Sequence, residues 1–139
     1  MKLFLFVTKK NILIVFAAVL IVFSISAKAV LENQSQIDGA TPQSRLSYIY
    51  YLGFAVEENV SAKQTVIPTV FSEVYSNYNK IQKMAGFDLL KYKGETVTVY
   101  TYNIIESDKK INLIVHNGKV IGGDICDVSF NGEMKPLKK

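Results

Sequence analysis

The alternation of apolar and polar positions changes character several times along the chain. From Ile12 to Ala27 no charged residue interrupts "ILIVFAAVLIVFSISA". Continued to Leu31, with Lys28 lifting its amine to an interface, the run reaches about 30 Å as a helix, the thickness of a bilayer's hydrocarbon slab. Residues 32–40, "ENQSQIDGA", are polar and aperiodic and read as a tether. Thr41-Pro42 then offers an N-cap with proline at the first helical position. Leu46, Ile49 and Tyr50 recur at helical spacing before Gly53, which predicts a helix over 42–52. Phe54–Val56 and Gln64–Ile67 are expected as short strands around a charged turn, "EENVSAK".

A second helix follows. Phe71, Val74, Tyr75, Tyr78, Ile81 and Met84/Ala85 form one stripe at helical spacing, and this stripe is the expected core face. Asn79 and Lys80 fall on the opposite side, Gly86 suits a left-handed close, and Phe87 can fold back on the last turn. Beyond "LLKYKGE" the rhythm becomes that of strands. "TVTVYTYNII" is dense in β-branched and aromatic residues, and Asn117-Gly118 sits in "KINLIVHNGKVIGG" where a two-residue type I′ turn needs it. Pairing His116 with Lys119 places Val115 beside Val120, Ile114 beside Ile121 and Leu113 beside Gly122. Gly122-Gly123 then marks a bulge or a close approach. A further strand is expected from Asp124 to Phe130, ending at Asn131-Gly132.

The predicted class is α+β: two helices packed on one face of a small, mainly antiparallel sheet, preceded by an N-terminal transmembrane helix. The corresponding segments are 1–10, a cytoplasmic n-region; 11–31, a transmembrane signal anchor; 32–40, the tether; and 41–139, an extracytoplasmic domain. Ala27-Lys28-Ala29 also fits a cleavage site, so a removed signal peptide and a secreted domain is the alternative. The length and bulk of the apolar run favour the anchor. In both readings Lys2, Lys9 and Lys10 keep the N-terminus inside and send the domain out.

Charge then removes one class of partner. The chain of 139 residues carries 16 Lys/Arg against 12 Asp/Glu. Four of the cations, Lys2, Lys9, Lys10 and Lys28, flank the apolar run, and the remaining 12 balance the acids. The basic excess is a topology signal rather than a nucleic-acid face. One cysteine allows no internal disulfide.

Candidate chemistry is confined to "VHNGKVIGGDICDV", residues 115–128, which hold the one histidine and the one cysteine. A Cys–His couple needs the two side chains within hydrogen-bond reach. The tight turn at Asn117-Gly118 leaves His116 at the tip and Cys126 near the far end, some 23 Å from the turn at ~3.3 Å per residue. Asp124 and Asp127 fall on opposite faces of a regular strand. Closely spaced metal-ligand pairs are lacking. Cys126 shares parity with Val128 and Phe130 and is expected as a small buried filler, His116 as a surface residue. No residue is assigned as catalytic, cofactor-binding or metal-ligating, and no cofactor is expected.

One resemblance bears on the host. "IPTVFSEVYSNYNKIQKMAGFDLLKYKGETVTVYTYNI" followed by "LIVHNGKVIGGDICDVSFNGEMKPL" resembles an uncharacterised domain family of membrane-anchored proteins from clostridia-like Gram-positive bacteria. The likeness runs from Gly53 to Leu137. It implies the domain boundary and the type of host, and carries no catalytic residue to transfer. The expected function is a non-catalytic binding or interaction module on a single-span anchor, with a protein or cell-envelope partner. A structural or regulatory part in an envelope or spore-related assembly is the alternative, and a thiol-dependent enzyme using Cys126 the third.

Overall fold

The computed structural model describes residues 36–129 and 132–138. The segments expected as n-region and anchor (1–10 and 11–31), most of the tether, and Phe130 and Asn131 lie outside the described residues. Among the described residues no helix is long and apolar enough to cross a membrane. The residues from Ile37 onward form a compact unit of their own, which begins inside the expected tether.

Its described elements run β1 (Ile37–Asp38), α1 (Pro42–Tyr51), β2 (Val56–Val66), α2 (Glu73–Met84), a 3-10 turn (Leu89–Tyr92), β3 (Thr96–Ile104), β4 (Lys109–His116), β5 (Lys119–Asp127) and β6 (Met134–Pro136). The sheet is antiparallel in the order β1-β5-β4-β3-β2, with β6 also on β5. β1 and β6 share one edge of β5. Ile37 and Asp38 lie opposite Val120 and Lys119, while Met134 to Pro136 lie opposite Cys126 to Asp124.

Both helices begin and end by rules legible in the sequence. Thr41 and Ser44 bond each other's backbone N–H groups in a capping box, with Pro42 behind. Gly53, at φ 92°, closes α1. The Ser72 side chain caps α2. Gly86, at φ 88°, closes it, and the Phe87 N–H bonds back to the Gln82 carbonyl, the six-to-one link of a Schellman close.

The charged turn expected between two short strands is absent. Residues 56–66 are one strand, bulged between Val56 and Val60, and exposed everywhere but Val56. Among the described residues it is an edge strand paired on one side only, so it needs no alternating apolar face; its backbone pairing with β3 shapes it.

The two helices lie on opposite faces of the sheet, not on one. Ile49 and Leu52 of α1 pack with Tyr102, Ile111, Leu113, Val115 and Val120. Tyr75 and Tyr78 of α2 pack with Ile114, Ile121, Val97 and Leu89. The physical cause is in β4, where Ile111, Leu113, Ile114 and Val115 are all buried, so each face of the central strand has apolar side chains to cover.

Candidate functional site

The second face carries a polar row beneath α2. Thr101 pairs with Asn112, and Asn112 with Asp124, so three polar side chains stand in register across β3, β4 and β5. Ser61 of β2 lies opposite Thr101 and extends the row to the sheet edge. The Thr101 hydroxyl donates to Asn112 Oδ1 at 2.7 Å, and Asn112 Nδ2 donates to Asp124 Oδ1 at 2.9 Å. From above, the Tyr78 hydroxyl donates to Asp124 Oδ2 at 2.7 Å. Asp124 is 1% exposed, and both its oxygens are occupied.

Burial pushes the Asp124 carboxyl above the usual carboxylate range, although the bonds from Tyr78 and Asn112 pull the other way. Tyr78 is driven well above the ordinary phenol range, first by burial and then by the Asp124 charge and hydrogen bond. The proton between them therefore stays on the phenol. Both Asp124 oxygens are taken up by Tyr78 and Asn112, so this carboxylate ties α2 to the sheet.

Phe71, Tyr75 and Tyr78 of the expected stripe do pack on the second core cluster, but the stripe is rotated at its margins. Val74 is 80% exposed and Met84 60%, whereas Asn79 and Gln82 are buried. Both amides serve backbone groups. Asn79 Oδ1 accepts from the Leu89 N–H at 2.8 Å while its Nδ2 donates to Asp88 at 3.0 Å, clamping the 3-10 turn. That amide is the foremost cause holding Asp88 below the usual carboxylate range. Gln82 Oε1 accepts from the Gly123 N–H at 2.8 Å. Gly123 lies between the residues of β5 that pair with β1 and those that pair with β6, so no strand reaches its N–H. Gln82 Nε2 has no hydrogen-bond partner.

The glycines at this point are close approaches. A Cβ on Gly122 would stand 2.9 Å from Gln82 Oε1, and one on Gly123 would stand 2.6 Å from both the Asn112 carbonyl and Leu137. The bulge falls one residue earlier than expected. Ile114 lies opposite Gly122 and Leu113 opposite Gly123, leaving Ile121 as the extra residue. Asn117 and Gly118, at φ 47° and 74°, form the predicted turn, and β5 then runs unbroken to Asp127.

The turn keeps histidine and cysteine apart. Cys126 lies opposite Lys110, and His116 stands at the other end of β4, roughly 20 Å away at ~3.3 Å per residue. His116 is not a loose surface residue. Its Nδ1 lies 3.1 Å from the Thr96 carbonyl and its Nε2 2.9 Å from Asn117 Nδ2, which places the proton on Nδ1. Cys126 is half-buried rather than a buried filler, with Asn112 Nδ2 at 3.5 Å from its sulfur. Asp127 bonds the Ser129 N–H and so sits below the usual carboxylate range. Among the described residues no group of three His, Cys, Asp or Glu side chains could hold a metal.

Residues 48–125 match the model of a family described as a domain of unknown function, DUF4830. The chain belongs to the DUF4830 family. The match covers the sheet from β2 through most of β5, all of α2 and the last turn of α1, but not β1, β6 or the start of α1 with Arg45. No curated protein and no solved structure matches the chain.

A second buried polar anchor, on the α1 face, has no counterpart in the sequence reading of this DUF4830 chain. Arg45, its one arginine, is 4% exposed. Its Nε donates to the Tyr102 hydroxyl at 3.0 Å and Nη1 to the Gly39 carbonyl at 2.8 Å, with the guanidinium 3.7 Å above the Tyr100 ring. The signal was spacing. Arg45, Ile49 and Leu52 recur as regularly as Leu46, Ile49 and Tyr50, once the arginine stem is counted as apolar.

Proposed function

We propose that the chain is a membrane-anchored, extracytoplasmic interaction module without catalysis of its own. What supports this reading is the direction of its chemistry: Asp124, Tyr78, Asn112, Thr101, Asn79 and Arg45 bond to one another or to backbone. Side chains committed in this way are not free to act on a substrate. The outward-facing groups are of another kind. β2 is an open strand along a whole edge, and Val70 and Val74 stand 81% and 80% exposed near the start of α2. An open backbone edge suits docking of a protein strand rather than turnover of a small molecule. The anchor rests on the charge-free run from Ile12 to Ala27 with Lys9 and Lys10 before it.

The test takes full-length protein in its own membranes. Intact mass in the membrane fraction, with residues 37–138 digested by protease added from outside, is the expected result. A product shortened by about thirty residues and released to the medium overturns the anchor. Photocrosslinkers at Val74 and Gln64 should capture defined proteins. Turnover of a small-molecule substrate that is lost in Asp124→Asn and Cys126→Ser overturns the non-catalytic reading.

A further inference from the structure

Arg45 is a buried cation whose partners are all neutral. Among the described residues the ion pairs are those of Lys83, His116 and Lys135, and Arg45 has none. It is also the fourth residue of α1, near the positive end of the helix. A charge in such a place must be solvated by dipoles. The Tyr102 hydroxyl and the Tyr100 ring supply two of them from β3. The rest come from the Gly39 and Ala40 carbonyls, at 2.8 and 3.4 Å, in the stretch that leads from β1 into α1.

We infer that Ile37–Ala40 is a strap that opens by itself, with Arg45 as its latch, while the rest of the sheet stays folded; this is a property separate from the proposed function. The strap is a preformed piece, because Asp38 Oδ1 accepts from the Ala40 N–H across its own turn. Its other ties to the sheet are few. Ile37 and Asp38 pair with Val120 and Lys119, and the Gly39 N–H bonds the Gly118 carbonyl at 2.9 Å. Beyond β1 no further strand is paired among the described residues, whereas β4 has a strand on each side. Opening exchanges the strap's carbonyls for water around the guanidinium, so the latch yields without stranding a charge. The same exchange inside β4 would break pairing on both sides at once.

The stretch that matches the DUF4830 model, residues 48–125, leaves out both strap and latch, so the body of the fold is recognisable without them. Gly39 shows how the closed strap lies. A Cβ there would stand 2.9 Å from Val120 Cγ2 and 3.1 Å from Val115 Cγ2, so its backbone rests on those two valines. Lifting it uncovers them and passes four residues, ~13 Å of extended chain, to the connection that precedes Ile37. A pull on that connection loads Ile37, then Asp38, then Gly39, and meets the latch last.

The test is amide hydrogen exchange, read by NMR on full-length protein in detergent micelles. The Gly39 amide reports the strap and the Leu113 amide reports β4. In the native chain Gly39 should exchange at least about a hundredfold faster than Leu113. Arg45→Met keeps an unbranched stem but leaves the Gly39 carbonyl without its donor. It should speed Gly39 about tenfold and leave Leu113 within about twofold. Asp38→Cys with Lys119→Cys, in a Cys126→Ser background, joins two register partners and should slow Gly39 at least about tenfold when oxidised. A common rate for both amides in the native chain overturns the inference. So does a Gly39 rate indifferent to Arg45→Met or to the disulfide. If Arg45→Met loosens both amides alike, Gly39→Ala decides, since it crowds the strap against Val120 and leaves the latch in place. A several-fold rise at residue 39 alone then upholds the strap, and an equal rise at Leu113, or none, overturns it.

Discussion

Asp124 is a buried carboxylate with two good donors, and its environment decides the direction of its shift. A carboxyl raised above its unfolded value destabilises the fold when ionised. Its cost is absent below the unfolded value and grows as pH rises through the folded one. Asp124→Asn keeps a bond to each neighbour, because an amide can accept from Asn112 and donate to the Tyr78 oxygen. The variant should gain melting temperature over the native chain at pH 7 and lose that gain near pH 4, as read by paired thermal melts. Comparing the two chains matters, because Asp88 and Asp127 act oppositely: their lowered carboxyls lend stability above the usual carboxylate range and lose it as pH falls. Asn79 gives a simpler case. Asn79→Ala strands the buried N–H of Leu89 and should cost about 1–3 kcal/mol, measured by denaturant titration. Asp88 should at the same time move back towards its ordinary value, visible by NMR titration.

At the scale of elements, caps and turns were legible and the inward face of α2 only in part. Thr41-Pro42, Gly53, Gly86 and Asn117-Gly118 each specify a backbone conformation by local chemistry, so their elements could be placed from spacing alone. Which side of α2 meets the sheet is a tertiary matter. Tyr75 and Tyr78 meet it as their spacing predicts, while Asn79 and Gln82 are buried in place of Val74 and Met84 because they supply acceptors to the Leu89 and Gly123 N–H groups. The polar row beneath α2 was hidden for a related reason. Asp124 is separated from Asn112, Thr101 and Tyr78 by a dozen residues or more, and their meeting depends on strand register. β1 and β6, of two and three residues, are too short to leave a pattern. The glycine pair shows how tight the contact is. Gly123→Ala sets a methyl against the Asn112 carbonyl and Leu137, and should cost on the order of 1–3 kcal/mol in a chemical melt. Gly53→Ala, where space is open, should be penalised only for its left-handed backbone.

For the whole folded unit, α1 carries the chain from the β5 edge to the β2 edge across one face, and α2 returns it to β3 across the other. The centre of the sheet, β3 to β5, is a meander of neighbouring strands, and its alternation was visible because the pairing is local. β6 and β1 both run antiparallel to β5, and β6 heads from Cys126 towards Asp124 while β1 starts at Val120. They are two pieces of one interrupted strand, with Leu137 and Gln82 filling the gap. The ends of this described unit thus lie along one line of the sheet edge. Linking residue 138 to residue 36 through a few glycines, and cutting between Ser107 and Asp108, should give a circular permutant that refolds with the native circular-dichroism spectrum. If the permuted chain stays unfolded, the interrupted strand does not behave as one continuous edge.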